Sequence, residues 1–154
     1  MKNLIIYFTY SGNTERLVKE TNKHFNYDCV KIDRNVPYSE DYDTCAYKEA
    51  KDEWQKHIYP EFVGLDKDVN MYDRILLFFP IWWYTFPMVI GSLAKKLNGY
   101  KGEIVLFENS YTNDPIYAEN SLNDFKKIDN KLNVKQGLFN KNASEHIKFI
   151  EKLN

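Results

Sequence analysis

The sequence predicts an α/β protein: a five-stranded parallel sheet sandwiched between two layers of helices. Three observations carry this. Short apolar, β-favouring runs recur along the chain, and each is followed by a stretch with helical spacing. The strongest run, Arg74–Phe79 (RILLFF), is apolar almost without alternation, as a strand covered on both faces must be. Finally, the first run passes into its helix through a loop of small polar residues, the usual join of a βα unit.

Taken in order, Leu4–Phe8 is the first strand, too brief for a helix and bounded by turn residues. Thr9, Tyr10, Ser11, Gly12, Asn13 and Thr14 follow, and from Glu15 a helical stripe of Leu17, Val18, Thr21 and Phe25 begins. Cys29–Ile32 is a second short strand closing at Asp33. Within the long excursion from Asn35 to Lys67, Tyr47, Ala50, Trp54 and Ile58 fall on one side of a helix entered near Asp41 or Asp43. That helix reads as a connector packed on the body or as a wall beside a site. Arg74–Phe79 is the third, central strand. Pro87 opens a helix with the stripe Val89, Ile90, Leu93, Ala94 and Leu97, which Gly99 stops. Glu103–Phe107 is the fourth strand, and Asp114 and Pro115 suit the start of a helix turning Ala118, Leu122 and Phe125 inward. Val134–Leu138 is the fifth strand. Asn142 and Glu145 stand in capping-box spacing at the start of the last helix. The chain is expected to form one domain over 1–154.

Composition narrows the function. A net charge of −1 gives no electrostatic case for nucleic acid or an anionic membrane surface. Cys29 and Cys45 share no metal-binding spacing, and they fit a reducing compartment. His24, His57 and His146 are scattered on predicted helices and read as structural or solvent-facing, so no metal site is expected. The N-terminal apolar run is too short for a signal peptide or a membrane span, and a soluble, cytoplasmic protein is expected.

In a parallel sheet, ligands sit at the carboxyl ends of the strands, where the strand order switches. The loops after the first, third and fourth strands therefore face one another. The first is suited to an anion. The leading N–H groups of its helix lack internal partners, Gly12 accepts positive φ, and hydroxyl and amide groups surround the spot. It matches neither the nucleoside-triphosphate loop G-x-x-x-x-G-K-[ST] nor the dinucleotide fingerprint G-x-G-x-x-G. Taken alone, it is equally compatible with an ordinary capped turn. The second loop, Pro80, Ile81, Trp82, Trp83, Tyr84, Thr85, Phe86 and Pro87, tips the balance. Two prolines bracket four large rings where polar turn residues are the rule, and indole and phenol groups beyond a strand end suit a flat ligand. A planar ring system bearing one phosphate fits flavin mononucleotide (FMN) better than a dinucleotide.

The motifs YFTYSGNT at 7–14 and FPIWWYTFP at 79–87 make the chain resemble the flavodoxins and flavodoxin-like oxidoreductases over nearly its whole length. The segment at 38–54, YSEDYDTCAYKEAKDEW, is similar to an insertion in one subfamily. The resemblance implies a flavodoxin-like sheet of order 2-1-3-4-5 with FMN as cofactor. Thr9, Ser11, Asn13 and Thr14, with the backbone at Tyr10 and Gly12, would bind the phosphate. Pro80, Ile81, Trp82, Trp83 and Tyr84 would lie along the isoalloxazine, and Asn109, Ser110 and Tyr111 would meet its other side. Tyr84 stands where the subfamily usually has a glycine, which in flavodoxins often turns a carbonyl toward the flavin. The segment Asn109–Asp114 lacks the subfamily's paired glycines.

The implied function is electron transfer, as a carrier or as a small reductase. The partner would be a redox protein or a small electron acceptor, and no residue is nominated as a catalytic acid or base. A flavodoxin-fold binding domain with another ligand, or none, is the alternative. Glu108 and Asp114 lie in the nearby loops without any Lys or Arg, so their carboxylates are expected to disfavour negative charge on the ring.

Overall fold

The computed structural model describes residues 1–154. Its elements are β1 (Asn3–Tyr7), α1 (Asn13–Phe25), β2 (Asp28–Lys31), β3 (Asp33–Arg34), α2 (Tyr42–Thr44), α3 (Lys51–Lys56), β4 (Phe62–Val63), β5 (Arg74–Pro80), α4 (Met88–Lys96), β6 (Glu103–Asn109), α5 (Ile116–Ile128), β7 (Asn133–Phe139) and α6 (Ala143–Leu153). The main sheet is parallel, in the order β2-β1-β5-β6-β7. Counting only its own strands, that is the expected order 2-1-3-4-5.

Alternation along the strands explains the two helical layers. From β5, Ile75, Leu77 and Phe79 enter one core with Val89, Leu93 and Leu97 of the α4 segment and Phe125 of α5. Leu76 and Phe78 enter the other with Val18 of α1 and Ile150 of α6. Both faces of β5 are thus apolar because both are covered. At the amino end of the sheet the buried Arg74 donates from Nε to Glu103 Oε1 (2.8 Å) and from its other guanidinium nitrogens to Leu153 O and Asn154 Oδ1 (3.0 and 3.2 Å). The last helix begins with the capping box read from Asn142 and Glu145. No helix is long and apolar enough to cross a membrane.

The long excursion departs most from the sequence reading. It carries a small antiparallel pair, β3 with β4, that no apolar run announced. Its helix starts at the Asp41 cap but passes through a π-helical stretch, Cys45–Ala50, before α3. The wider π turn rotates the apolar stripe, so Cys45 and Ala50 are buried while Tyr47 faces solvent; Ile58, also exposed, falls outside the helix, which ends at Lys56 before the left-handed His57. A half-buried charge cluster fastens this excursion. Arg34 pairs with Glu49 (2.7 Å) and Glu53 (3.1 Å), and Tyr38 donates to Glu53 Oε1 (2.6 Å).

His57 lies just past α3 in the left-handed region, and His24 is exposed. His146 is fully buried against Phe78 and Phe107, with its Nδ1 2.7 Å from Asn142 O. Burial holds its basicity below the ordinary histidine value, so it packs as a neutral ring. All three fit the structural or solvent-facing reading.

Candidate functional site

The chain leaves β1 toward β2 on one side and returns through β5 on the other, so the segments after β1 and β5 diverge and open a crevice. Pro80 and Asn109, the last residues of β5 and β6, are paired across the sheet and form its floor. The cleft has a volume of about 550 Å³, and its lining includes Tyr10, Ser11, Asn13 and Thr14 from the first loop. Pro80, Ile81, Trp82, Trp83 and Tyr84 contribute the second wall, and Asn109, Ser110 and Tyr111 the third. Thr9 and Gly12 instead line a neighbouring polar cleft on the far side of Tyr10. Tyr42, Thr112 and Tyr117 join the main cleft without having been anticipated.

The β1–α1 loop is an open anion cradle. Gly12, at φ 96°, caps α1 and brings no side-chain acceptor to its amides. Its own N–H donates to Thr9 Oγ1 (3.1 Å), which shapes the turn from within. The first amides of α1 are therefore left without a capping side chain, at the positive end of a helix of 13 residues, and Asn13 and Thr14 line the cleft. Thr14 is buried and donates from Oγ1 to Asn109 Oδ1 (2.7 Å), tying the first loop to the end of β6. Arg16, one turn on, donates to Asn13 Oδ1 (3.1 Å).

The aromatic segment is a tight hairpin. Trp82 N donates to Thr85 O (2.9 Å) and Thr85 N to Trp82 O (3.3 Å), while Trp83 and Tyr84 have φ of 49° and 72°. Positive φ at both central positions is the type I′ pattern, which normally selects Asn-Gly. The Tyr84 backbone thus adopts the conformation that a glycine takes freely, at a steric cost of about 1–2 kcal/mol. Contacts remote in sequence hold the turn. Trp83 Nε1 donates to Ala46 O in the π-helical stretch (2.8 Å), and its ring stacks on Trp54 (5.5 Å between centroids, 16°). From α5, Asn120 donates to Tyr84 O (3.0 Å), and Asp124 Oδ2 accepts from Thr85 Oγ1 (2.7 Å). The helix of the excursion is therefore the wall beside the site.

The two indoles are largely committed to the protein. Trp82 packs edge-on against Phe8, Tyr10 and Tyr38 at 5.1–5.7 Å. Trp83 is taken up by Trp54 and Tyr47. The freer rings are phenols: Tyr42, Tyr84 and Tyr111 are 59%, 53% and 89% exposed. Tyr10 donates to Ser39 O (2.6 Å), and burial, with Cys45, Asp41 and Glu49 nearby, pushes its phenol up to about 12.

Asn140 orders the glycine-poor third loop. Itself in the left-handed region (φ 54°), it accepts from Ser110 N (2.6 Å) and donates to Thr112 O and Asn113 Oδ1 (both 3.3 Å). An asparagine just after the last strand was the only sequence signal for this, and its partners lie about thirty positions away.

Glu108 requires a correction. It is 1% exposed, its only side-chain partner is Gln136 Nε2 (2.5 Å), and its Oε2 has none. Burial raises its pKa to about 8, against the stabilising Gln136 bond, so the acid is neutral at pH 7. It contributes no negative charge to the cleft, because β6 turns it into the protein rather than toward the loops. Asp114 accepts from Ile116 N (3.0 Å) at the start of α5 and is exposed.

Fold and site together define a doubly wound α/β protein with an anion cradle and an aromatic cleft at the switch point of its sheet. The chain belongs to the flavodoxin family, whose model matches residues 2–153. Among solved structures it is similar to a flavoprotein from Lactobacillus acidophilus NCFM in complex with FMN, with 25% identity, TM-score 0.80, and coverage of 97% of this chain and 98% of that one. Flavoproteins from Bacteroides eggerthii DSM 20697 and Bacteroides uniformis ATCC 8492, each described as putative, share the fold at TM-score 0.82. Their identities are 21% and 19%, with coverage of 98% and 96% for the first pair of chains and 97% and 97% for the second. No curated protein matches the sequence.

Proposed function

We propose that the chain binds FMN in this cleft and transfers electrons through it, as a carrier or as a small reductase. One observation carries the reading: unpartnered amides at the start of α1 open into an aromatic cleft lined by no charged residue. The FMN complex of the similar Lactobacillus flavoprotein adds support. When bound, FMN supplies the one- and two-electron chemistry, and the protein supplies orientation and electrostatics.

The residues divide that work. The amides of Asn13, Thr14 and Glu15, with the Ser11 hydroxyl, hold the phosphate by dipoles rather than by a salt bridge. Asn109 and Pro80 form the floor, and Tyr84 and Tyr111 flank the ring system. The exposed mouth leaves one edge open to a redox protein or a small acceptor; a net charge of −1 favours neither nucleic acid nor an anionic membrane as partner. The test is reconstitution: purified protein mixed with FMN should give a perturbed visible flavin spectrum and retain the flavin through gel filtration. A chain that takes up no FMN would instead be a flavodoxin-fold binding domain with another ligand, or none.

A further inference from the structure

We propose that Tyr38 is a reserve electron donor for the cleft: it refills Trp82 after a one-electron oxidation there and passes its phenol proton to Glu53. The inference rests on the FMN reading, because FMN is the redox group that Trp82 would face. It adds a use for the charge cluster that fastens the excursion. Trp82 lines the cleft, whereas Tyr38 lies behind it and is 7% exposed. Their ring centroids are 5.1 Å apart at 76°, so the rings touch and an electron crosses no solvent gap between them.

The rings around Trp82 differ in what they can release. Phe8 has no acidic proton, and Tyr10 donates its own to Ser39 O (2.6 Å), a carbonyl too weakly basic to keep it. Tyr38 donates to Glu53 Oε1 (2.6 Å), and Glu53 Oε2 accepts from Arg34 Nη1 (3.1 Å). Both oxygens of Glu53 thus act as acceptors, the arrangement of a carboxylate. A phenol that loses an electron becomes a strong acid; with a carboxylate in contact, the proton leaves with the electron and the ring stays neutral. An indole surrounded by rings has no such base and must carry the positive charge. The vacancy therefore settles on Tyr38. Trp83 offers a poorer route: Lys51 Nζ stands 5.4 Å over its ring and opposes loss of an electron, and its Nε1 faces the carbonyl of Ala46.

The cluster is built to take one proton. Arg34 lies 3.8 Å over the Tyr38 ring and pairs with both Glu49 (2.7 Å) and Glu53 (3.1 Å), so the two carboxylates exceed the one guanidinium by a single negative charge. When the Tyr38 O–H bond breaks and an O–H bond forms at Glu53 Oε1, Arg34 keeps Glu49 as its counter-ion. The guanidinium also makes a positively charged Tyr38 costly, which ties the electron to the proton. Burial holds the resting phenol above its ordinary range, so Tyr38 keeps its proton until the electron leaves. Burial likewise raises Glu53, against the bonds from Tyr38 and Arg34, and readies that carboxylate to accept the proton.

The experiment is flash photolysis of the FMN-loaded protein in the presence of chloropentaamminecobalt(III). Light-excited FMN is the one-electron oxidant, and the cobalt complex takes the electron onward irreversibly. Transient absorption and electron paramagnetic resonance read the radical, so no turnover is involved. The wild type should form a neutral tyrosyl radical, more slowly in deuterium oxide than in water. Tyr38→Phe should lose that signal and leave an indole radical, while Tyr47→Phe, beside the other indole, should keep it. Trp82→Phe, at saturating FMN, should lose it by breaking the route. Glu53→Gln, which retains an oxygen acceptor but no base, should lose it with Tyr38 in place. If the FMN-loaded protein forms no tyrosyl radical, or Tyr38→Phe still forms one, the inference fails while the FMN reading stands. It also fails if Trp82→Phe or Glu53→Gln forms the radical as the wild type does. Should Glu53→Gln not fold, equal rates for the wild type in the two solvents would overturn the proton transfer and the inference with it. A preparation that binds no FMN overturns both readings.

Discussion

Across the cleft from the β1–α1 loop, whose left-handed residue is Gly12, stands a turn whose two left-handed residues are Trp83 and Tyr84. In the first loop the residue type suits the backbone, a Cβ at Gly12 would meet nothing within 4 Å, and the amides are left open. In the second the residue types oppose the backbone, and Ala46, Trp54, Asn120 and Asp124 impose the shape. The comparison shows two ways of building a binding surface. A phosphate cradle needs only main-chain donors at a helix end, so a local sequence can make it. A platform of large rings needs those rings held in place, and only packing against other elements does that.

The largest effect should come from the cradle. Hydrogen bonds to a charged group contribute roughly 1.5–3 kcal/mol each, against roughly 0.5–1.5 kcal/mol for a ring contact. Riboflavin, which lacks the phosphate, should therefore bind at least about a hundredfold more weakly than FMN in a fluorescence titration. Equal affinities would dissolve the contrast between the loops by removing the first from the site.

Glu108 tests how far packing controls the cleft's charge. Its pKa is about 4.5 when exposed and about 8 in the fold. Between those values the folded chain keeps a proton that the unfolded chain has lost, so stability falls as pH rises through this window. Below about 4.5 that contribution is fully present, and above about 8 it is gone. Glu108→Gln should flatten this dependence and be the more stable protein at pH 8, by on the order of a few kcal/mol. Denaturant melts across the pH range measure it; a wild type whose stability does not fall over this window would mean that Glu108 is ionised after all.

The supports of the turn come next. Trp54→Ala removes the ring beneath Trp83 and should cost about 2–3 kcal/mol, below the range for a fully buried tryptophan because Trp54 is half-buried. It should also weaken FMN binding and shift the emission of Trp83. A loss of stability with unchanged FMN affinity would separate the turn from the site.

The smallest effect sharpens the contrast most. Tyr84→Gly relieves a positive φ, which costs about 1–2 kcal/mol, but frees the unfolded chain by roughly 0.5–1 kcal/mol. It should leave stability unchanged or raise it by up to about 1 kcal/mol. Trp83→Gly, at the same kind of backbone position, loses its stacking and its bond to Ala46 and should destabilise. Opposite signs in chemical denaturation would identify Trp83 as the anchor of the turn and Tyr84 as the residue it presents.

The sequence by itself determined the order of the main-sheet strands and the helices between them, and it offered the anion cradle as one of two readings of the first loop. Alternating apolar spacings encode the first, and the second depends on six consecutive residues between a strand and a helix, Thr9 to Thr14. It also marked Trp82, Trp83 and Tyr84 as misplaced for an ordinary turn. What it did not contain was the direction of those rings. Trp82 turns toward Phe8 and Tyr38, and Trp83 toward Ala46 and Trp54, across separations of about thirty to seventy residues. The part played by Asn140 in the third loop, the clamp from Asn120 and Asp124, and the neutral state of Glu108 were likewise decided only in the folded chain. The physical reason is the same for each: helix and strand formation and the exposure of helix-end amides follow from neighbours in sequence. A ring's orientation, a strained turn and a carboxyl's charge follow from what is packed against them, and for these residues the partners come from other elements.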